Sequence, residues 1–466
     1  MNDIEPTREP GDVRAKNPSR GPKRQVRYDN MRHLGRISLI VLAVVVSVAF
    51  AWGYGWISWH KAQQPWVTDL AKFYMSARQY LDGGDIYDEI PYSSFGPMPP
   101  ELTTTRENFH PNLNPPFQTL LFTPLASLDF TTVYWVWLAL SIGCGVAATI
   151  RLSREAGNIL ASRTGPRIQT PLLLYALFCS FPTLIGLTLG QFSMILYLLV
   201  VSAWIAVRRG REVTGGLLSG LAISLKPFAG AYLLLFLFLR RWRLSAACGL
   251  SVLACTSAAA LAMGIESHLR YLEILQGLTW FGSGWNASLL GFLAPILGGP
   301  EDASWMDWPT LSSGLSLTIG VAGIVFMGGL AHRSQSRFDR LGVDLGFALV
   351  GPLMLLISPL GWSYYFPILL LSAALGVKYS REVKNGRRWR VLIFVAWLLS
   401  VPCYSPMMAR DISRPLLWFT YPALDTYALL LMVAAVAGLH LAYLRDHPPH
   451  PVPANDSLRP AEESIG

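Results

Sequence analysis

Long apolar runs separated by short polar or basic stretches recur along nearly the whole chain. Their positions predict membrane helices at about 37–58, 131–150, 170–188, 191–207, 214–225, 228–239, 244–263, 311–331, 342–358, 362–377, 391–404 and 423–443. The runs are continuous and do not alternate, which argues for helices over the strands of a membrane barrel. Several fall short of the ~20 residues needed to cross hydrocarbon. The runs 214–225 and 228–239 meet at Lys226-Pro227, so they read as two half-helices around a buried break. Such a break is tolerated where the backbone lines a polar cavity. Phe117 to Leu128 is apolar but too short to span, and His268 to Trp280 reads as an amphipathic helix at the interface. The pattern thus predicts an all-α, polytopic protein with about twelve membrane segments, some short or broken.

Composition supports this reading. Of 466 residues, 52% are hydrophobic and only 14% charged, whereas soluble domains carry about 25% charge. A polar leader precedes the first run and no small-residue cleavage site follows it, which predicts an uncleaved span over a signal peptide. Three regions follow: a disordered basic tail at 1–36, a membrane domain at 37–443 with outer loops 59–116 and 264–310, and a polar tail at 444–466. The net charge of +9 does not point to nucleic acid, because the basic residues sit in short clusters between apolar runs. With the N-terminus inside, thirty of the 38 Lys and Arg fall on inner segments. This bias predicts both termini in the cytoplasm and the loops 59–116 and 264–310 on the outer face of the cytoplasmic membrane. The five cysteines form no CxxC pair and read as small core residues.

The candidate chemistry collects on the outer side. Asp69 follows the first helix within Trp66–Tyr74, where a carboxylate is costly and invites a functional reading. The bland alternative is a helix cap or a solvated loop charge. Asp82, Asp85 and Asp88 lie beside glycines and read as turn residues. Lys226 is a lone lysine in an apolar stretch and needs an anion, for which a lipid phosphate suits; snorkelling is the alternative. Arg78 and Arg270 are fallback phosphate partners. Gln191, Asn286, Trp285, Asn114 and Trp362 could contact a sugar, or else satisfy broken helix ends. Neither a Walker A loop, a GxGxxG after a strand nor an Asp-x-Asp clamp is present. An outward-facing site without nucleotides needs an activated substrate already in the membrane, and a polyprenyl-phosphate sugar fits that need.

One ordered set of residues carries a resemblance. Asp69, Tyr74, Ala77, Leu81, the Gly83-Gly84 pair, Ile86-Tyr87, Asn114-Pro115-Pro116 and Pro124 come first. Leu189-Gly190-Gln191, Gly220-Leu221-Ala222, Lys226-Pro227, Arg241-Trp242, Asn286-Ala287-Ser288-Leu289, Ser358-Pro359 and Trp362 follow. Over about 66 to 366 the chain resembles the polyprenol-phosphate-dependent mannosyltransferases of the GT-C superfamily, typified by the mycobacterial phosphatidylinositol-mannoside mannosyltransferases. The resemblance implies that an acidic residue after the first helix deprotonates the acceptor hydroxyl while the lipid phosphate leaves the anomeric carbon. Asp69 stands at that position. Where relatives can carry a histidine after the Ser-Pro pair, this chain has Tyr364 and Tyr365, and His110 in the proline-dense loop is a possible substitute.

The expected function is therefore transfer of a sugar, mannose foremost, from a polyprenyl phosphate to a lipid or glycan acceptor. A transporter or flippase of a lipid-linked saccharide is the alternative. The implied partners are the donor, the acceptor and membrane lipids. No metal-ligand set and no cofactor are expected, although the outer carboxylates leave room for a divalent cation.

Overall fold

The computed structural model describes residues 22–95, 112–157, 159, 165–278, 281–282, 284–297, 309–335, 339–401 and 423–448. Contacts divide the chain into two bodies, Met1–Trp52 and Gly53–Gly466. The helix α1 (Pro22–Gln63) runs through this division, and everything below concerns the second body. There the order is α2 (Leu70–Leu81), α3 (Pro116–Phe122), α4 (Phe130–Ala156), α5 (Gly165–Phe178) and α6 (Phe181–Thr188). Next come α7 (Ser193–Arg208), α8 (Glu212–Leu225), α9 (Ala231–Phe238), α10 (Trp242–Met263), α11 (Glu266–Gln276) and α12 (Leu289–Leu297). The chain closes with α13 (Pro309–Gln335), α14 (Asp339–Ile357), α15 (Leu369–Tyr379), α16 (Gly386–Leu399) and α17 (Ala423–Asp446). No strand occurs among the described residues; a lone bridge joins Asn286 and Trp362.

Each predicted apolar segment falls largely on helix among the described residues, but the expectation of about twelve spans is not matched by helix length. Six helices among the described residues are long and apolar enough to cross a membrane, or seven if α5 and α6, bent by 65° at their junction, form one broken span. The apolar helices around α7, α8 and α9 are shorter. Hydropathy registers a run of apolar residues but not whether the helix built from it reaches across hydrocarbon. The protein is a multi-pass membrane protein on these helices. The break at Lys226 is as expected: α8 ends at Leu225, and a 3₁₀ turn at Pro227–Gly230 leads into α9. The segment His268 to Trp280 begins within α11, where Leu269 and Leu272 are exposed and Tyr271 is buried; Trp280 lies outside the described residues.

Two close approaches hold the elements that frame the site. In α8, Gly216 and Gly220 lie four apart against α10. A Cβ on Gly216 would meet Leu244 O at 2.5 Å, and one on Gly220 would meet Cys248 O and the Ser251 side chain. Small residues at this spacing let two helix backbones approach closely. After α6, Gly190 takes a φ of +76°, and a Cβ there would lie 2.6 Å from the Leu70 Cβ. That turn leaves Leu189 O to accept hydrogen bonds from the backbone N–H of Asp69 (3.1 Å) and of Leu70 (3.0 Å). The start of α2 is thereby pinned to the α6–α7 junction.

At the far end of α7 sits a charged knot. Asp344 is fully buried and faces Arg208 at 3.1 Å and Lys378 at 3.8 Å. It also accepts bonds from Trp204 Nε1 (2.8 Å) and the Tyr379 hydroxyl (2.6 Å). Glu155 pairs with Arg208 and Arg209 beside it. This knot ties α4, α7, α14 and α15 together.

Candidate active site

Asp69 occupies the N-cap position of α2, yet its side chain makes no cap bond. Thr68 does that work: its Oγ1 accepts from Ala71 N–H at 3.2 Å and donates to Pro65 O. The Asp69 carboxylate is therefore turned elsewhere. Oδ1 faces Lys72 Nζ at 2.9 Å, and Oδ2 accepts from Gln191 Nε2 at 2.7 Å. The Gln191 Oε1 in turn accepts from the Tyr365 hydroxyl at 3.3 Å. A phenol that gives its proton to the oxygen end fixes the amide, so that its NH₂ end must face the carboxylate. Burial opposes the charge of Asp69, but the Lys72 ammonium and then the Gln191 amide outweigh it, and the carboxyl is held below its ordinary value of 3.8. Asp69 is thus ionised at neutral pH. Desolvation alone would have raised its proton affinity; the neighbouring lysine reverses the sign.

These groups open into a cavity of about 770 Å³. Asp69, Gln191, Lys226, Asn114, Trp285, Trp362, Tyr364 and Tyr365 all line it. The cavity therefore gathers residues from the α2 start, the α3 approach, the α7 start, the α8–α9 break and two loops before α12 and α15. Lys226 Nζ donates to Asn114 Oδ1 and lies 5.5 Å from the centre of the Tyr365 ring. Trp362 stacks on Tyr364 with ring centres 5.9 Å apart, and Trp285 stacks on Phe181 at 6.1 Å. Apolar side chains, among them Leu234, Leu275, Leu278 and Met354, complete the wall. The charged lining residues are Asp69, Lys72 and Lys226. Among the described residues no group of three or more His, Cys, Asp or Glu side chains could hold a metal ion.

Asn286 stands apart from the other predicted residues. It is fully buried, and the cavity lining does not include it. Its amide NH₂ donates to Phe281 O and Pro359 O, both at 2.8 Å, and its Oδ1 accepts from Ser288 N–H and Gly361 N–H. It laces the loop before α12 to the loop after α14, and so positions Trp285 and Trp362. His110 lies outside the described residues. Arg78 turns to the Tyr74 hydroxyl, and Arg270 pairs with Glu273 on the exposed side of α11; neither lines the cavity. Asp82, Asp85 and Asp88 are exposed, as turn residues are. Cys144, Cys179, Cys248 and Cys255 are free thiols, and Cys403 lies outside the described residues.

Lys72 escaped the sequence reading. Its spacing of three from Asp69 on a helix was the available signal. Asn112, discussed below, gave no signal of its own.

The sequence from 112 to 359, more than half of the chain, matches the description of glycosyltransferase family 87. The chain belongs to that family. As a family 87 member it is a glycosyltransferase, and the GT-C resemblance read from the motifs holds. The chain is 26% identical over 426 residues to the polyprenol-phosphate-mannose-dependent alpha-(1-2)-phosphatidylinositol pentamannoside mannosyltransferase of Mycolicibacterium smegmatis, spanning 87% of this chain and 91% of that one. A second mannosyltransferase of that organism, named as polyprenol-phosphate-mannose-dependent and acting on phosphatidylinositol mannoside, is 25% identical over 353 residues, or 70% of this chain and 74% of its own. An alpha-(1->3)-arabinofuranosyltransferase of Corynebacterium glutamicum is 26% identical over 391 residues, covering 80% and 81%. The family match begins at Asn112, so Asp69 lies upstream of it.

Proposed function

We propose that this glycosyltransferase moves a sugar, mannose foremost, from a polyprenyl-phosphate donor to a lipid or glycan acceptor. The observation that carries this reading is the meeting of Asp69, Lys226 and the Trp362–Tyr364 stack in one cavity with apolar walls. The acceptor hydroxyl oxygen attacks the anomeric carbon, and its proton passes to the Asp69 carboxylate. The bond from that carbon to the phosphate oxygen breaks, and its electron pair leaves on the polyprenyl phosphate. Lys226 faces the phosphate as a point charge, where charge develops as the bond breaks. The aromatic stack faces the sugar. Retaining transfer by double displacement commonly uses a second carboxylate; Asp69 is the one carboxylate in the described lining, which favours a single inverting displacement.

The relatives' names support the donor class, since two of them are polyprenol-phosphate-mannose-dependent. Nothing among the comparisons favours the transporter reading. We further propose that both termini are cytoplasmic and that the cavity opens on the outer face. Gln191, just before α7, belongs to the cavity, while Arg208 and the basic clusters near it stand at the other end of that helix. A 16-residue helix separates the two by roughly 24 Å.

The test uses purified full-length wild type and Asp69→Asn with a radiolabelled polyprenyl-phosphate mannose and a membrane lipid extract as acceptor. Removing a general base costs about 10²–10⁴ in rate. Label transfer that survives the Asn substitution sinks the role of Asp69. Absence of transfer by wild type from mannose, with transfer from an arabinofuranose donor, would move the sugar but keep the reaction.

A further inference from the structure

Among the described residues Lys226 makes no direct contact with a carboxylate. Its ammonium donates to Asn114 Oδ1, a neutral partner, while the carboxylate in the lining is in contact with Lys72. What makes Asn114 present its oxygen and not its NH₂ is one residue behind the cavity wall. Asn112 is 2% exposed and does not line the cavity. Its Oδ1 accepts from the backbone N–H of Asn114 at 3.2 Å. That N–H can only donate, so it fixes the oxygen end of the Asn112 amide toward Asn114. The same Oδ1 accepts from Asn114 Nδ2 at 2.6 Å. Asn114 is thereby oriented in turn, and its own oxygen must point at Lys226. The NH₂ end of Asn112 is anchored on Ser76 Oγ of α2 (3.0 Å) and Thr119 Oγ1 of α3 (3.3 Å). Pro115, with φ −59° and ψ 152°, keeps the backbone after Asn114 extended, and a residue before proline is barred from the helical region. The Tyr87 hydroxyl holds the Asn114 carbonyl at 2.6 Å.

We propose that Asn112 is a positioning residue for the donor phosphate: it sets the direction of the Asn114 amide, which holds the Lys226 ammonium in the cavity by a neutral partner and not by a carboxylate in direct contact. A cation whose direct partner is a neutral dipole leaves its strongest interaction for an incoming anion, whereas a carboxylate in direct contact would compete with that anion. The anchor on Ser76 adds a second link. Ser76 lies about two turns along α2 from Asp69, so the proposed base and the proposed phosphate cation are spaced by one rigid helix and two amides. The proposal rests on the polyprenyl-phosphate reading of the cavity.

The experiment measures binding of farnesyl phosphate and of farnesol, its uncharged alcohol, to full-length protein in detergent. Wild type should prefer the phosphate. Asn112→Leu should weaken farnesyl phosphate about tenfold and leave farnesol unchanged. In the transfer assay the donor KM should rise by a similar factor while kcat changes less than twofold. The Ser76→Ala/Thr119→Val double variant, which removes the anchors and keeps Asn112, should show the same selective loss and carries the test if Asn112→Leu does not fold. Equal weakening of both lipids would reveal a merely structural role and overturn the proposal, as would a preference left intact. If wild type shows no preference for the phosphate, the donor reading itself fails, and that outcome is distinct from an intact preference in the variants.

Discussion

At the scale of single residues, the division of labour between Thr68 and Asp69 is the central fact. A carboxylate at an N-cap position normally spends itself on backbone N–H groups. Here a threonine hydroxyl takes that bond, and the carboxylate is left for the cavity. Asp69 was legible as a candidate because a carboxylate after a membrane helix is unusual, but whether it capped α2 could not be read without the position of Thr68. Its charge state was not legible either, since burial and a lysine one turn on push in opposite directions. A prediction follows from their balance. With its pKa depressed, Asp69 holds the base form at every pH above that lowered value and loses it only as the pH falls through it. The wild-type kcat/KM profile should therefore show no acid limb from Asp69 between neutrality and about pH 5. Lys72→Gln removes the main opposing effect, burial then dominates, and the acid limb should move to higher pH. A profile unmoved by that substitution would refute the electrostatic account. Lys226→Gln should raise the donor KM about tenfold or more, the scale of a lost charge-assisted hydrogen bond, with Lys226→Arg in between.

Among elements, the glycines of α8 set how closely it approaches α10, while the break at Lys226 comes with Pro227. Gly216 and Gly220 bring α8 against α10, and α8 ends at Leu225, just before Lys226. Gly220→Leu drives a side chain into the Cys248 carbonyl and Ser251. It should lower the thermal midpoint in detergent by the equivalent of about 1–3 kcal/mol, the usual cost of overpacking. The same substitution at Gly249, which has open space around its Cβ position, should be near neutral. Helix positions were readable from apolar runs because a membrane helix must satisfy its own backbone. Span number was not, because α7, α8 and α9 are apolar yet short and take their surroundings from neighbouring helices. Asn286 shows the same limit. Its residue type and its place beside Trp285 fitted sugar contact, and only the loop geometry reveals an amide saturated by four backbone groups.

For the molecule as a whole, the two charged centres occupy opposite ends of α7. The Asp344 knot joins four helices, and leaving part of a buried ion pair without its partner costs about 3–5 kcal/mol. Asp344→Ala should thus unfold at markedly lower temperature than wild type while Asp69→Asn, tested alongside, should not. The proposed orientation is checked by cysteine labelling. A membrane-impermeant maleimide should modify Asp85→Cys on intact cells but reach Arg387→Cys only after permeabilisation. Labelling in the reverse order would invert the topology. That orientation rests on counting lysines and arginines, the part of the sequence that responds to the membrane's two faces more than to packing.

The set of charged groups around the cavity has a consequence for turnover. Among the described residues one carboxylate and two lysines, counted as protonated, give the lining a formal charge of +1. On the proposed reading, a sugar phosphodiester brings −1, and the filled chamber is electrically neutral. After transfer, Asp69 carries a proton and the lipid phosphate has become a monoester that can bear −2, so the sum is again zero. No counterion has to enter the cavity during the reaction. Release of the spent lipid as a dianion, by contrast, leaves two lysines and a neutral acid behind. On the same reading, return of that proton to the aqueous phase is tied to emptying the chamber, so product departure should respond to external pH and salt.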